Sequence, residues 1–162
     1  MGAFIFKRIV LTTLFLSILT GCNKTIKSNE GMFNVGIDQI EDVKINQPFE
    51  IHGYLRNNTS QSIEISFGAG LFTYKIFDEY GNVVPVSDQM LVVNDIGYDT
   101  SLGAGEVYRN NGEKQRSKEF YQFTIKKPGH YKVKAVAEFS VKDEEGNKNQ
   151  KLTSKMYDFT VK

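Results

Sequence analysis

Six apolar residues, Tyr131, Val133, Ala135, Ala137, Phe139 and Val141, fall on every second position, with Lys132, Lys134 and Glu138 between them and Lys142 after the last. Successive side chains of an extended chain point to opposite faces, so this pattern buries one face and wets the other only as a strand. The period recurs upstream. Phe49, Ile51, Gly53 and Leu55 alternate with Glu50, His52, Tyr54 and Arg56; Ile63, Ile65 and Phe67 alternate with Glu64 and Ser66. Phe72, Tyr74 and Ile76 form a further face, as do Tyr121, Phe123 and Ile125, and then Tyr157, Phe159 and Val161. No stretch sustains a 3.6-residue period.

Short strands separated by polar turns predict an all-β fold. The expectation is an antiparallel immunoglobulin-like β-sandwich of about seven strands over residues 32–162, with a β-barrel as its rival. Pro128-Gly129-His130-Tyr131, leading into the longest strand, resembles the tyrosine corner of such sandwiches.

The first 22 residues follow a different rule. Lys7 and Arg8 precede an uncharged, mostly apolar run from Ile9 to Leu19, and Gly21 stands before Cys22, the single cysteine. A basic flank and a short apolar core are the layout of a secretory signal, and the run is shorter than the roughly 20 residues a spanning helix needs. Leu19-Thr20-Gly21-Cys22 resembles the lipobox of bacterial lipoproteins. That resemblance implies cleavage before Cys22, a diacylglyceryl group on its sulfur and usually a further acyl chain. Two chains, at about 0.8 kcal/mol per buried CH2, hold a protein to a membrane where one is marginal.

Residues 1–21 therefore read as a cleaved lipoprotein signal peptide. Residues 22–31, polar and rich in Lys, Asn and Ser, read as a lipid-anchored flexible tether. Cleavage would leave 141 of 162 residues, and losing Lys7 and Arg8 takes the formal charge from +1 to −1. A near-neutral domain is not suited to nucleic acid or to polybasic membrane attachment. With Cys22 acylated, no thiol is left for a disulfide, a metal site or nucleophilic catalysis.

Residues 87–118 break the alternation. A short strand is expected over Met90 to Val93, but 95–117 is polar and contains glycine. A loop of this length is often functional, an ordinary crossover between sheets being the alternative. Its Tyr98, Tyr108, Arg109 and Arg116 are the candidate binding residues.

Few residues are spaced for chemistry. His52 and His130 have no second histidine nearby, whereas zinc needs three or four close ligands. Asp78-Glu79-Tyr80-Gly81-Asn82 and Asp143-Glu144-Glu145-Gly146-Asn147 cluster carboxylates, but without the spacing of a calcium loop, and Gly-Asn serves a tight turn. Gly68-Ala69-Gly70 and Gly103-Ala104-Gly105 lack the Lys-Ser/Thr of a phosphate loop. No Gly-x-Ser-x-Gly marks a nucleophile. The expectation is no catalytic residue, no metal and no cofactor.

Asn58-Thr59-Ser60, then Ile65-Ser66-Phe67-Gly68-Ala69-Gly70, Tyr74 and Asp78-Glu79-Tyr80-Gly81-Asn82-Val83-Val84 resemble the early strands of the Bacillus intracellular proteinase inhibitor domain. Leu102-Gly103-Ala104-Gly105-Glu106 is similar to that family's Leu-x-Pro-Gly-Glu turn, with Ala104 in place of proline. The resemblance spans about half of the domain, rests on turn signals, and implies an immunoglobulin-like sandwich. No inhibitory residue carries over.

The functional expectation is an extracytoplasmic lipoprotein on the cell membrane, acting as a non-catalytic binding module. Its partners are the membrane, through lipid on Cys22, and an unidentified protein or envelope component. An extracellular protease inhibitor is the alternative, and an envelope hydrolase stands third.

Overall fold

The computed structural model describes residues 31–68, 70–85, 97–109, 120–143 and 146–162. Cys22, Arg116, Met90 to Val93 and all but the last residue of the expected tether lie outside these. The named strands, in chain order, are β1 (Phe33–Ile37), β2 (Pro48–Glu50), β3 (Gly53–Asn57), β4 (Ile63–Phe67), β5 (Phe72–Phe77) and β6 (Tyr98–Leu102). They continue with β7 (Val107–Arg109), β8 (Gln122–Thr124), β9 (Gly129–Asp143), β10 (Gly146–Thr153) and β11 (Tyr157–Val161). Every pairing between named strands is antiparallel.

The fold is an antiparallel immunoglobulin-like β-sandwich. One sheet has the order β1-β3-β7. β2 leads into β3 through Ile51, whose N–H bonds the Tyr121 carbonyl (2.8 Å), so the β2–β8 pair continues this layer. The other sheet is organised by β9, whose fifteen residues pair with β11 and β10 and with β5 and β4; β6 closes the far side of β4. Val43 makes a parallel bridge to Val161, tying the segment after β1 to the last strand.

The alternation read from β9 is the alternation observed. Tyr131, Val133, Ala135, Ala137, Phe139 and Val141 are buried, and Lys132, Glu138 and Lys142 are exposed. Phe33 packs edge-on against Phe139, with ring centroids 5.1 Å apart, and Tyr74 meets Phe123 in the same way at 5.8 Å. Burying one such aliphatic or aromatic side chain contributes roughly 1.5–3 kcal/mol. A polar tie crosses the core as well: the Gly53 N–H of β3 donates to the Tyr74 hydroxyl of β5 (2.7 Å). Tyr131 makes the corner its sequence suggested, its hydroxyl donating to the Lys127 carbonyl four residues upstream (2.9 Å). Burial raises the pKa of that hydroxyl above its ordinary value, with the Asp78 and Glu79 charges adding to the shift.

Three expectations are corrected. The strand count is eleven among the described residues rather than about seven. The run from Phe49 to Leu55 divides into β2 and β3, and β1, β6, β7 and β10 add to the count. Second, the region read as an irregular loop contains β6 and β7. Third, the polar stretch that follows the Asp143 turn, which shows no strand period in the sequence, is a strand: β10 runs eight residues against β9. Leu152 is its one apolar side chain, so it offers no alternation to read.

The end where the chain enters is fastened by Asn57, which is fully buried. Its Nδ2 lies within bonding distance of the carbonyls of Gln61 (2.7 Å), Leu102 (2.8 Å) and Gly103 (3.0 Å), and its Oδ1 accepts from the Thr59 N–H (2.9 Å). The backbone adds two more bonds, Gly105 N–H to Asn57 O and Asn57 N–H to Glu106 O, each 3.0 Å. One amide therefore joins the turn after β3 to the turn between β6 and β7. Glycine is required within the second turn, where Gly105 sits at φ +72°.

Candidate functional site

Tyr98 and Tyr108 are not loop residues. Tyr98 opens β6 and Tyr108 is central in β7, at the edges of opposite sheets. They converge on buried Phe67, which stacks with Tyr98 at 5.9 Å and meets Tyr108 edge-on at 5.3 Å. Burial raises the Tyr108 pKa, and the neighbouring Tyr98 raises it further. The pair closes the open side of the sandwich and is only partly exposed, so its first role is packing.

Arg109, one residue on, faces the other way. Its Nε donates to Asp38 Oδ2 (2.8 Å) and its guanidinium lies 5.8 Å from the Tyr54 ring centre. Tyr54 in turn covers Gly36, its register partner: a Cβ added at Gly36 would come within 2.1 Å of the ring. A bare strand position, an aromatic laid over it and a cation above the aromatic fill the outer surface of the first sheet. Glu50 and His52 pair nearby at 3.1 Å. These side chains satisfy one another. The structure thus brings Tyr98 and Tyr108 together and separates Arg109 from them.

The outer surface of the second sheet is built differently. Register places Asp99 of β6 opposite Ser66 of β4, Ser66 opposite Ser140 of β9, and Ser140 opposite Asn149 of β10. Four short polar side chains thus cross four strands in one row. On one side of the row Glu64 and Lys142 form an ion pair (3.3 Å), and on the other Glu138 and Lys151 form a second (2.5 Å). Short residues between longer, paired ones make a trough. Ser66 and Ser140 on its floor are half-buried, whereas the four charged residues of the walls are exposed. Two adjoining depressions of about 460 and 420 Å³ occupy it and share Ser66.

Sequence reasoning missed this row. Each strand's alternation assigns Ser66 and Ser140 to the outer face, but only the register across four strands brings them into line with Asp99 and Asn149.

The Asp78 cluster is a turn. Asp78 Oδ1 accepts from the N–H groups of Tyr80 (3.0 Å) and Asn82 (2.8 Å), and Gly81 takes φ +84°. The Asn82 side-chain amide, followed by the backbone N–H groups, holds the Asp78 carboxyl below its ordinary pKa. Its capacity is spent on the chain itself. Among the described residues no group of three His, Cys, Asp or Glu side chains is placed to hold a metal ion.

No family model matches the sequence, and no curated protein does. Solved structures with similar overall form include the CARDB domain of a Pyrococcus furiosus protein in complex with di-metal ions. It is 15% identical over 80% of this chain and 86% of that one, with a TM-score of 0.39. A PapD-like domain of human CEP192 is 10% identical over 81% of this chain and 84% of that one, with a TM-score of 0.36.

Proposed function

We propose that the protein is a lipoprotein held to the extracytoplasmic face of the cell membrane by lipid on Cys22, where the sandwich acts as a non-catalytic binding module. The observation that carries this reading is where the chain joins the domain. The Asn58 N–H bonds the Met32 carbonyl (2.8 Å), and the Asn58 amide reaches the Gly31 carbonyl (3.3 Å). The point of attachment is therefore beside the Asn57 turns, at one end of the sandwich. A domain hung from that end turns both sheet surfaces and the opposite end, with exposed Tyr80 and Val83, toward its surroundings. Nine residues, 23–31, lie between Cys22 and Met32, and fully extended they span at most about 32 Å. The sequence Leu19-Thr20-Gly21-Cys22 and the basic pair before it support the lipid. Among the described residues no helix is long and apolar enough to cross a membrane.

The test is to express the full chain in a bacterium, separate the membranes and weigh the amino-terminal peptide. The expected result is a membrane-bound protein whose first residue is Cys22 carrying acyl chains, with acylation abolished in Cys22→Ser. An unmodified Cys22 in the wild-type protein would contradict the reading.

A further inference from the structure

We infer that the trough on the outer surface of the second sheet is a binding site for an uncharged, hydroxyl-rich chain: a neutral glycan. The inference rests on the reading of the domain as a binding module and names what it binds.

The chemistry of the floor selects the ligand. Serine hydroxyls both donate and accept, an asparagine amide does both, and an ionised aspartate only accepts. Ser140 Oγ lies 2.7 Å from Asn149 Oδ1 and donates to it, which turns the Asn149 amide nitrogen into the free donor. Ser66 and Asp99 have no side-chain partner among the described residues. The floor thus offers donors and acceptors interleaved over four strands, about 14 Å across at the usual strand spacing. A chain of hydroxyl groups, each able to donate and accept, is the complement of such a floor.

Charge narrows the choice further. Each wall is a closed ion pair, Glu64 with Lys142 and Glu138 with Lys151, so neither wall offers an unpaired cation. The remaining charge is the Asp99 carboxylate on the floor, which repels a polyanion. Apolar segments find no match either, because Phe67 and Phe139 at the base of the trough are buried with their rings in the core. On the first sheet Arg109 is taken up by Asp38 and Tyr54.

The experiment is calorimetric titration of the purified full chain with chitotetraose and cellotetraose, and with polyphosphate as the charged comparator. The double variant Ser66→Ala/Ser140→Ala is titrated in parallel, and thermal melting checks that it folds. Tyr80→Ala, on an exposed turn apart from the trough, serves as the control. The expected result is binding of at least one neutral tetrasaccharide, weakened about tenfold or more in the double variant and unchanged in Tyr80→Ala. No binding of either tetrasaccharide at millimolar concentration would overturn the inference. So would preference for polyphosphate, or an affinity the double variant leaves intact. Acylated Cys22 without tetrasaccharide binding removes the glycan and leaves the anchor standing; tetrasaccharide binding by a protein that is not acylated does the reverse.

Discussion

At Asn57 and along the row from Asp99 to Asn149 the chain gathers polar groups from several segments, and the two gatherings differ in what is left over. Asn57 is sealed: its amide reaches three carbonyls, its oxygen is occupied, and no water reaches it. The row is open: it contains one internal bond, between Ser140 and Asn149, and lies along a surface trough. The same functional groups therefore serve different ends. Sealed, they fix one arrangement of turns, because any alternative strands a buried polar group. Open, they add little to folding and remain available to a ligand.

The sharpest break in that comparison is Asn57→Ala. It leaves the carbonyls of Leu102 and Gly103 unsatisfied and a void between two turns, and it is expected to cost about 3 kcal/mol, or roughly 10 °C in Tm. Thermal melting by circular dichroism measures it. Tyr131→Phe lies between the extremes, since its hydroxyl makes one partly buried bond to Lys127 O. The expected loss is about 1 kcal/mol, read from the urea midpoint with an unchanged slope.

The smallest effect belongs to Asp78, a hub like Asn57 but at the surface. Its folded pKa is depressed, so its contribution is present above the unfolded carboxylate value, about 3.9, and is lost as pH falls through the folded value. Comparing wild type with Asp78→Asn across pH 7 to 2 should therefore show a slight difference at neutral pH that vanishes in acid. A difference that grows in acid would reverse the assignment.

Much of the fold was legible because burial leaves a period. In β5 and β9 the buried face is wholly apolar and most outward residues are polar, and β3 follows the same rule up to Asn57, so Leu55, Ile76 and Val133 could be placed in the core directly. β6 carried the same signal in Tyr98, Thr100 and Leu102, but muted, because at an edge only Leu102 is fully buried. β10 carried almost none, since Leu152 is its one apolar residue and its pairing with β9 sets its place. Asn57 looked like an ordinary turn residue; nothing local distinguishes an asparagine that water reaches from one it does not. The trough was the least legible feature. Its serines, amide and carboxylate are common surface residues, and their alignment depends on three registers that no single strand encodes.

The most direct measurement is the melting temperature of the Ser66→Ala/Ser140→Ala double variant set beside that of Asn57→Ala, in one buffer. If the row is open and the Asn57 network sealed, the double variant melts within about 0.5 kcal/mol of wild type while Asn57→Ala falls far below it. Comparable falls in the two, or a larger one in the double variant, would show that the serine row holds the sandwich together and would contradict its assignment as a surface left free for recognition.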